Sequence, residues 1–148
     1  MWDESARAGF TELLPAGHPF PEVDPDRWQA TLADPAVTML LAEDEGEFAG
    51  FTACGESRDP DAGPDVGELR TFFVAASRWR RGVGRALMAA ALEDLRERGY
   101  TEATVWSFAA NERANAFYEA HEFERDGAER REETWADILE VRYRRPLA

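Results

Sequence analysis

This sequence contains no lysine, and all 17 of its basic residues are arginine. The absence excludes a Schiff base on a lysine amine and the phosphate-binding lysine of a Walker motif. Cys54 is the single cysteine, so it can form neither an internal disulfide nor a cysteine metal cluster, as suits a reducing cytosol. No apolar run approaches the roughly 20 residues that span a bilayer, and the first residues lack the pattern of a signal peptide. The sequence therefore predicts a cytoplasmic protein with no metal and no membrane partner.

Positive charge is scarce in the first half of the chain. Residues 1–68 hold three arginines against sixteen Asp or Glu, whereas the remainder holds fourteen residues of each sign. Nucleic-acid binding usually needs a basic patch, so the net charge of −13 argues against a nucleic-acid partner. An acidic surface favours a cationic small molecule or a basic peptide, and it also serves solubility alone. Composition leaves these two interpretations open.

A length of 148 residues with 44% hydrophobic content predicts a single domain over residues 1–148. Hydrophobic periodicity and turn residues predict helices at 3–14, 25–32, 82–98 and 111–121, and strands at 37–43, 47–56, 68–74, 101–108, 122–128 and 135–144. The strand–helix–strand order in the middle implies a parallel pair, and the hairpins imply antiparallel pairs. We therefore expect an α/β (α+β) fold with a mixed, mostly antiparallel sheet of about six strands and about four helices.

A turn rich in arginine and glycine separates the third strand from the longest predicted helix. Gly82 and Gly84 let the backbone approach a diphosphate, and the helix N-terminus offers free N–H groups and a positive dipole end. Positive charge comes from Arg78, Arg80, Arg81 and Arg85. We interpret the segment as an anion-binding turn, with a plain glycine turn as the alternative. A Rossmann fingerprint fits poorly, because Leu87 occupies its third glycine position.

Two segments resemble motifs of the GNAT superfamily of acyl-CoA-dependent N-acetyltransferases. Residues 67–87, GELRTFFVAASRWRRGVGRAL, resemble motif A, in which a strand leads through R-G-x-G into a long helix. Residues 111–119, NERANAFYE, resemble motif B, in which members carry N-x-x-A-x-x-F-Y. The similarity covers residues 25–146, and the two motifs follow each other in the family's order.

The resemblance implies a GNAT fold and an N-acetyltransferase activity. Acetyl-CoA would be the cosubstrate, and a primary amine of a small-molecule or peptide acceptor would attack the thioester directly. The implied catalytic residues are Tyr118, as proton donor to the leaving thiolate, and Glu68, as a base acting through water. The implied coenzyme-binding residues are Phe72, Phe73, Val74, Trp79, Arg80, Arg81, Gly82, Val83, Gly84, Arg85, Asn111 and Phe117. Structural alternatives remain: a packed aromatic at Tyr118, a solvated strand end at Glu68 and a helix N-cap at Asn111.

The sequence departs from the family pattern in several places. Ala76 replaces a proline, Trp79 stands where members carry Gln or Arg, and Glu122 replaces a glycine, which puts the corner beside Tyr118 in question. The family's opening strand is absent from the predicted elements. An alternative function is a non-catalytic acetyl-CoA-binding or protein-interaction module with the same fold. The sequence leaves the acceptor open, and it also leaves open a homodimer, which relatives often form.

Overall fold

The computed structural model of the chain describes residues 33–147. Its strands and helices, in chain order, are β1 (Val37–Asp44), β2 (Glu47–Glu56), β3 (Val66–Val74), α1 (Val83–Glu97), β4 (Glu102–Phe108), α2 (Glu112–Ala120), β5 (Glu124–Arg131) and β6 (Leu139–Pro146). The two helices predicted within residues 1–32, and the predicted lack of an opening strand, lie outside the described residues. Among residues 33–147, no helix is long and apolar enough to cross a membrane.

The six strands form one sheet in the order β1-β2-β3-β4-β6-β5. β3 and β4 run parallel, and every other neighbouring pair of described strands is antiparallel. Both Glu45 and Gly46 have positive φ, which gives the two-residue turn that joins β1 to β2. α1 makes the longer crossover that a parallel pair requires. The predicted mixed, mostly antiparallel six-stranded sheet is confirmed, and the two helices predicted in this part of the chain are α1 and α2.

β5 and β6 begin later than predicted. The sequence places them at 122–128 and 135–144, because aromatic and β-branched residues favour strands. In the structure, however, Glu133–Trp135 is a 3₁₀ turn, and Ala136 and Asp137 follow it with φ of 55° and 57°. Two consecutive residues in the left-handed region reverse the chain, so the strand cannot start at Trp135. This boundary was wrong because it rested on propensity without the turn geometry.

α1 covers one face of β1, β2 and β3. Its buried side chains recur at helical spacing and are Val83, Leu87, Met88, Ala91, Leu92 and Leu95. Most of them share a core with Leu69, Val105 and Tyr143 of the sheet. Burial of each large side chain contributes about 1.5–3 kcal/mol. Met88 on this face is fully buried, whereas Ala90 is exposed.

β3 contains one extra residue, Arg70. Two consecutive residues of β2 pair with Leu69 and Thr71, so Arg70 has no partner in that ladder. Such a bulge shifts the alternation of side chains along a strand by one residue. Leu69 therefore faces α1 before the bulge, and Phe72 and Val74 face the helices after it.

Candidate functional site

β3 and β4 separate partway along their length and leave a fork in the sheet. Their parallel pairing ends at Leu69 and Val105, whereas β3 continues to Val74. Beyond Leu69, no described strand pairs with the edge of β3 that faces β4. Backbone groups on such an edge can pair with an extended ligand as an added strand would. The predicted coenzyme-binding residues Phe72, Phe73 and Val74 lie on this segment.

The chain enters α1 with the first turn of that helix uncapped. Gly82 is the N-cap residue, has a φ of 84° and offers no side chain. The first helical bond runs from the Ala86 N–H to the Gly82 carbonyl (3.1 Å), so the N–H groups of residues 83–85 have no acceptor within the helix. The helix dipole adds positive character at the same place. This end of α1 is therefore suited to an anion.

The two glycines of the turn meet different requirements. A Cβ at Gly82 would have no atom within 4 Å, so this positive-φ position is open to a ligand. A Cβ at Gly84 would lie 3.1 Å from Cε1 of Phe117, which shows that this ring packs directly on α1. The sequence interpretation assigned both glycines to a diphosphate. In the structure, Gly84 lets α2 approach α1.

Arg78 and Arg81 are committed to the β1–β2 hairpin. Arg78 pairs with Asp44 (3.1 Å) and Glu47 (2.7 Å), and Arg81 pairs with Asp44 (2.7 Å) and Glu45 (3.2 Å). The hydrogen bond from Arg81, aided by Arg78, holds the pKa of Asp44 below its usual value. These pairs tie the tip of the hairpin to the turn before α1 and engage the Arg81 side chain.

Arg80 and Arg85 remain exposed beside the same turn. Neither has a carboxylate partner among residues 33–147. Arg80 adopts a φ of 64°, which places it in the left-handed region that favours glycine. Burial, with the nearby charge of Arg85, lowers the pKa of His121. The free positive charge therefore lies between the N-terminus of α1 and the end of α2.

Trp79 closes the end of β3. Its Nε1–H donates to the Val74 carbonyl (2.9 Å), so a ligand cannot use that acceptor freely. The guanidinium carbon of Arg113 lies 3.9 Å from the centroid of the indole. The sequence analysis missed Arg113. The only sequence feature that could have indicated Arg113 is its position four residues before Phe117, which places the two residues on one face of α2.

Two asparagines fix α2. Asn111 is the N-cap, since its Oδ1 accepts the N–H of Ala114 (3.2 Å), as the structural alternative for this residue expects. Asn115 is buried, accepts from the Ser107 hydroxyl (2.7 Å) and donates to the Ala109 carbonyl (3.1 Å). A buried amide with satisfied partners gives α2 a defined position against the end of β4. The sequence analysis missed Asn115, whose partners come from another element.

Tyr118 lies in the core where α2 meets the fork. Its ring is 7% exposed and packs against Phe117, Phe123 and Tyr143, with centroids 5.7, 6.0 and 5.8 Å away. It shares its core cluster with Leu69, the residue at which β3 and β4 part. Burial raises the pKa of the Tyr118 phenol well above its usual value, so the hydroxyl keeps its proton at neutral pH.

The corner that follows α2 keeps a glycine-like backbone. Glu122 has a φ of 69°, a conformation that costs a non-glycine residue on the order of 1–3 kcal/mol. The Phe123 N–H donates to the Tyr118 carbonyl (3.0 Å). Arg145 donates to the His121 carbonyl (2.9 Å) and pairs with Glu122 (3.4 Å). The replacement of glycine by Glu122 has therefore not removed the positive-φ corner.

Glu68 lies at the same fork but on the opposite face of the sheet, because neighbouring strand residues alternate and Leu69 faces α1. Its side chain is 3% exposed, which makes the alternative of a solvated strand end wrong. The backbone N–H of Arg58 donates to Oε1 (3.0 Å), and the guanidinium donates to Oε2 (3.0 Å). Glu68 pairs with Thr104, one position before the strands part. The fold thus brings Tyr118 and Glu68 to opposite faces of one fork.

Known proteins share this architecture. Residues 4–123 match the acetyltransferase (GNAT) family. Over 127 residues, the chain is 31% identical to the uncharacterized N-acetyltransferase YuaI of Bacillus subtilis (strain 168), an alignment that covers 82% of this chain and 70% of that protein. The crystal structure of the ribosomal-protein-alanine N-acetyltransferase from Brucella melitensis is similar, with a TM-score of 0.72, 20% identity and coverage of 98% and 94%. So is an aminoglycoside 6'-N-acetyltransferase complexed with coenzyme A, with a TM-score of 0.70, 16% identity and coverage of 99% and 89%.

Proposed function

Since this chain belongs to the GNAT acetyltransferase family and is an acyltransferase, we propose that it moves an acetyl group from acetyl-CoA to a primary amine. One observation carries the proposal: the fork between β3 and β4 opens beside the uncapped N-terminus of α1. Acetyl-CoA has an extended amide arm and a diphosphate. The arm suits the unpaired edge of β3, and the diphosphate suits the N–H groups of α1.

The residues at the fork fit this cosubstrate. The backbone of Phe72, Phe73 and Val74 would pair with the amide arm. The Ala75 N–H donates to the Ala49 carbonyl of β2, so the N–H of the preceding Val74 faces away from β2 and would be available to the thioester oxygen. The diphosphate lies against residues 79–84, where Gly82 leaves open space. Acetyl-CoA supplies the thioester carbonyl that the amine attacks and the thiolate that leaves.

The transfer forms a C–N bond and breaks a C–S bond. A protonated amine gives up two protons, one before the attack and one from the attacking nitrogen, and the sulfur gains one, so one proton passes to solvent. Tyr118 donates the proton to the sulfur. Its burial keeps the phenol protonated at neutral pH and also makes it a weaker acid. Proton transfer therefore depends on a strongly basic acceptor, which the developing thiolate is when it too is shielded from water. Solvent then returns a proton to the phenolate.

Glu68 accepts the proton of the amine through water. Because Glu68 and Tyr118 lie on opposite faces of the fork, one group can take the proton of the amine and the other can protonate the leaving sulfur, which is compatible with direct attack in a ternary complex. An acetyl-cysteine intermediate is disfavoured. Cys54 is fully buried, and burial together with Asp94 raises its pKa to about 12, so the nucleophilic thiolate is scarce.

The acceptor in this proposal is a cationic amine. The excess of carboxylates over arginines in residues 1–68 favours a positively charged partner. Two structural neighbours bear names that specify a ribosomal-protein alanine and an aminoglycoside as acceptors. Both are amine compounds, and an acidic surface attracts a cationic small molecule as well as a basic peptide. The panel for a test therefore runs from polyamines and aminoglycosides to amino acids and N-terminal peptides.

The experiment measures acetyl-CoA turnover against this panel. We expect Tyr118→Phe and Glu68→Gln each to lower kcat by about 10²-fold, the usual contribution of acid–base catalysis, with little change in CoA affinity. Tyr100→Phe and Glu102→Gln are the matched controls, since they make the same chemical change away from the fork, and they should keep the wild-type rate.

Two outcomes would contradict the proposal. Binding of CoA without turnover of any acceptor would favour the non-catalytic acetyl-CoA-binding module. No binding of CoA at tens of micromolar in calorimetry would favour a protein-interaction module with the same fold.

A further inference from the structure

An arginine outside the anion-binding turn stacks on the one aromatic residue within that turn. The guanidinium carbon of Arg113, in the first turn of α2, lies 3.9 Å from the centroid of the Trp79 ring. A separation this short places the guanidinium against the face of the indole. A guanidinium held by its face keeps its N–H edge free, and that edge is the part that binds phosphate.

Both partners of this stack are held in place. The Trp79 indole is anchored by its bond to the Val74 carbonyl (2.9 Å). α2 is anchored by Phe117, which packs on Gly84 and lies 5.4 Å from the ring of Phe72. Arg113 lies one helical turn before Phe117 on the same face of α2. The guanidinium is therefore positioned beside the N-terminus of α1.

The arginines around the turn differ in whether a carboxylate pairs with them. Arg78 and Arg81 are neutralised by the carboxylates of the β1–β2 hairpin. Within residues 33–147, the exposed side chains of Arg80, Arg85 and Arg113 have no carboxylate partner. An arginine that is pre-positioned, exposed and without a counter-charge loses little on binding an anion, because it gives up no ion pair and few rotamers.

We propose that Arg113 binds a phosphate group of acetyl-CoA and that Trp79 is the positioning residue that presents it. The inference rests on the proposed function, because it assigns one more residue to that coenzyme site. The phosphate is either the diphosphate or the 3'-phosphate of the coenzyme, which share the chemistry that a guanidinium recognises.

Calorimetry with CoA and with 3'-dephospho-CoA tests the proposal. We expect Arg113→Ala to weaken CoA binding about tenfold at low salt, and the effect to shrink in 0.5 M salt. If the loss persists with 3'-dephospho-CoA, the contact is to the diphosphate; if it disappears, the contact is to the 3'-phosphate. Arg113→Lys should recover part of the affinity, since it keeps the charge and loses the planar stack.

Glu112→Gln is the matched control. It changes the charge of the neighbouring residue in α2 by one unit, so a general field effect would tighten CoA binding as much as Arg113→Gln weakens it. A direct contact predicts a change within twofold for Glu112→Gln and a much larger one for Arg113→Gln.

The part played by Trp79 is tested by a double-mutant cycle. Trp79→Leu should weaken CoA binding in the wild-type background, and it should weaken CoA binding much less in the Arg113→Ala background. Trp79→Phe, which keeps a ring for stacking, should retain most of the contribution of Arg113. Thermal melts of each variant separate loss of binding from loss of folding.

The results separate the two proposals. If the wild-type chain does not bind CoA, the proposed function fails. If the wild-type chain binds CoA while Arg113→Ala binds within twofold of it, the proposed function stands and the assignment of Arg113 is overturned. Additive effects of Trp79→Leu and Arg113→Ala would overturn the positioning part alone.

Discussion

Arg142 and the arginines around the turn before α1 lie in different parts of this molecule and differ in burial and in ion pairing. Arg142 of β6 is 5% exposed and pairs with Asp59 (3.1 Å), Asp61 (2.8 Å) and Asp126 (2.6 Å). Around the turn before α1, the arginines that have no carboxylate partner within residues 33–147 are exposed. A buried, fully paired cation is part of the folded framework, whereas an exposed and unpaired one is available to a ligand. The number of arginines in a segment does not distinguish these cases, but their partners do.

The buried group also has a mechanical consequence. Asp59 and Asp61 belong to the segment between β2 and β3, and Arg142 holds that segment against the sheet. Trp106 of β4 joins the network, because its Nε1–H donates to Asp59 (3.0 Å) while Arg130 stacks on its ring at 4.3 Å. The guanidinium of Arg142 thus connects distant parts of the chain. The exposed arginines at the turn before α1 instead keep their charge at the surface.

The largest expected effect comes from removing the buried cation. Arg142→Met leaves Asp59 without its charge partner among residues 33–147 and leaves Asp126 with Arg144 alone, and breaking a buried pair in this way costs about 3 kcal/mol or more. We expect the melting temperature to fall by roughly 10 °C for a chain of this size. Arg80→Ala is the matched control and should melt within 2 °C of wild type. Equal melting temperatures for the two variants would contradict the claim that Arg142 stabilises the fold while Arg80 does not.

A smaller effect is expected from pH. The hydrogen bond from Arg142 lowers the pKa of Asp61 from 3.8 to about 2. For Asp126, burial opposes the shift, but the Ala128 N–H, Arg142 and Arg144 together still lower the pKa. A carboxylate with a depressed folded pKa adds stability above its unfolded pKa, and this stability is lost as the pH falls through the folded value.

Urea unfolding should therefore show stability declining between pH 4 and about pH 2, with Asp61 contributing through its pKa of about 2. Asp61→Asn should be less stable than wild type at pH 7 and should lose less of its stability over that interval. A variant curve parallel to that of wild type across the whole interval would show that Arg142 does not act through this carboxylate.

The smallest effect is expected at the hairpin. Asp44→Asn removes the carboxylate that Arg78 and Arg81 share, so the charge beside the turn becomes one unit more positive while each arginine keeps a glutamate partner. We expect CoA to bind about twofold more tightly at low salt and equally in 0.5 M salt. Glu129→Gln makes the same charge change on the distant edge strand and should leave the affinity unchanged. A loss of affinity in Asp44→Asn would mean that the ion pairs shape the site.

The elements that local patterns specify were predictable. The first hairpin follows from a two-residue turn at Glu45 and Gly46 between apolar runs, and α1 follows from its apolar spacing. The bulge at Arg70 was not predictable, because nothing in the alternation of β3 marks it. It becomes visible only in the pairing of β3 with β2, where Cys54 pairs with Leu69 and Ala53 with Thr71.

The candidate site divides in the same way. Motif resemblance indicated the turn and Tyr118, since both are local sequence features. The contact of Arg113 with Trp79 joins residues 34 positions apart, and Arg58 meets Glu68 from a loop. Spacing along the chain carries no signal for such contacts. The sequence also could not show which arginines of the turn form ion pairs, because their partner Asp44 comes from β1.

One contact couples the two halves of the proposed chemistry. Phe117 rests where Gly84 lacks a side chain, and Tyr118 is the next residue of the same helix. In the proposed function, a displacement of the N-terminal end of α1 would therefore reach the segment of α2 that carries Tyr118. Anything that loads or empties the turn would also adjust the aim of the phenol, so that binding and protonation share a single moving part.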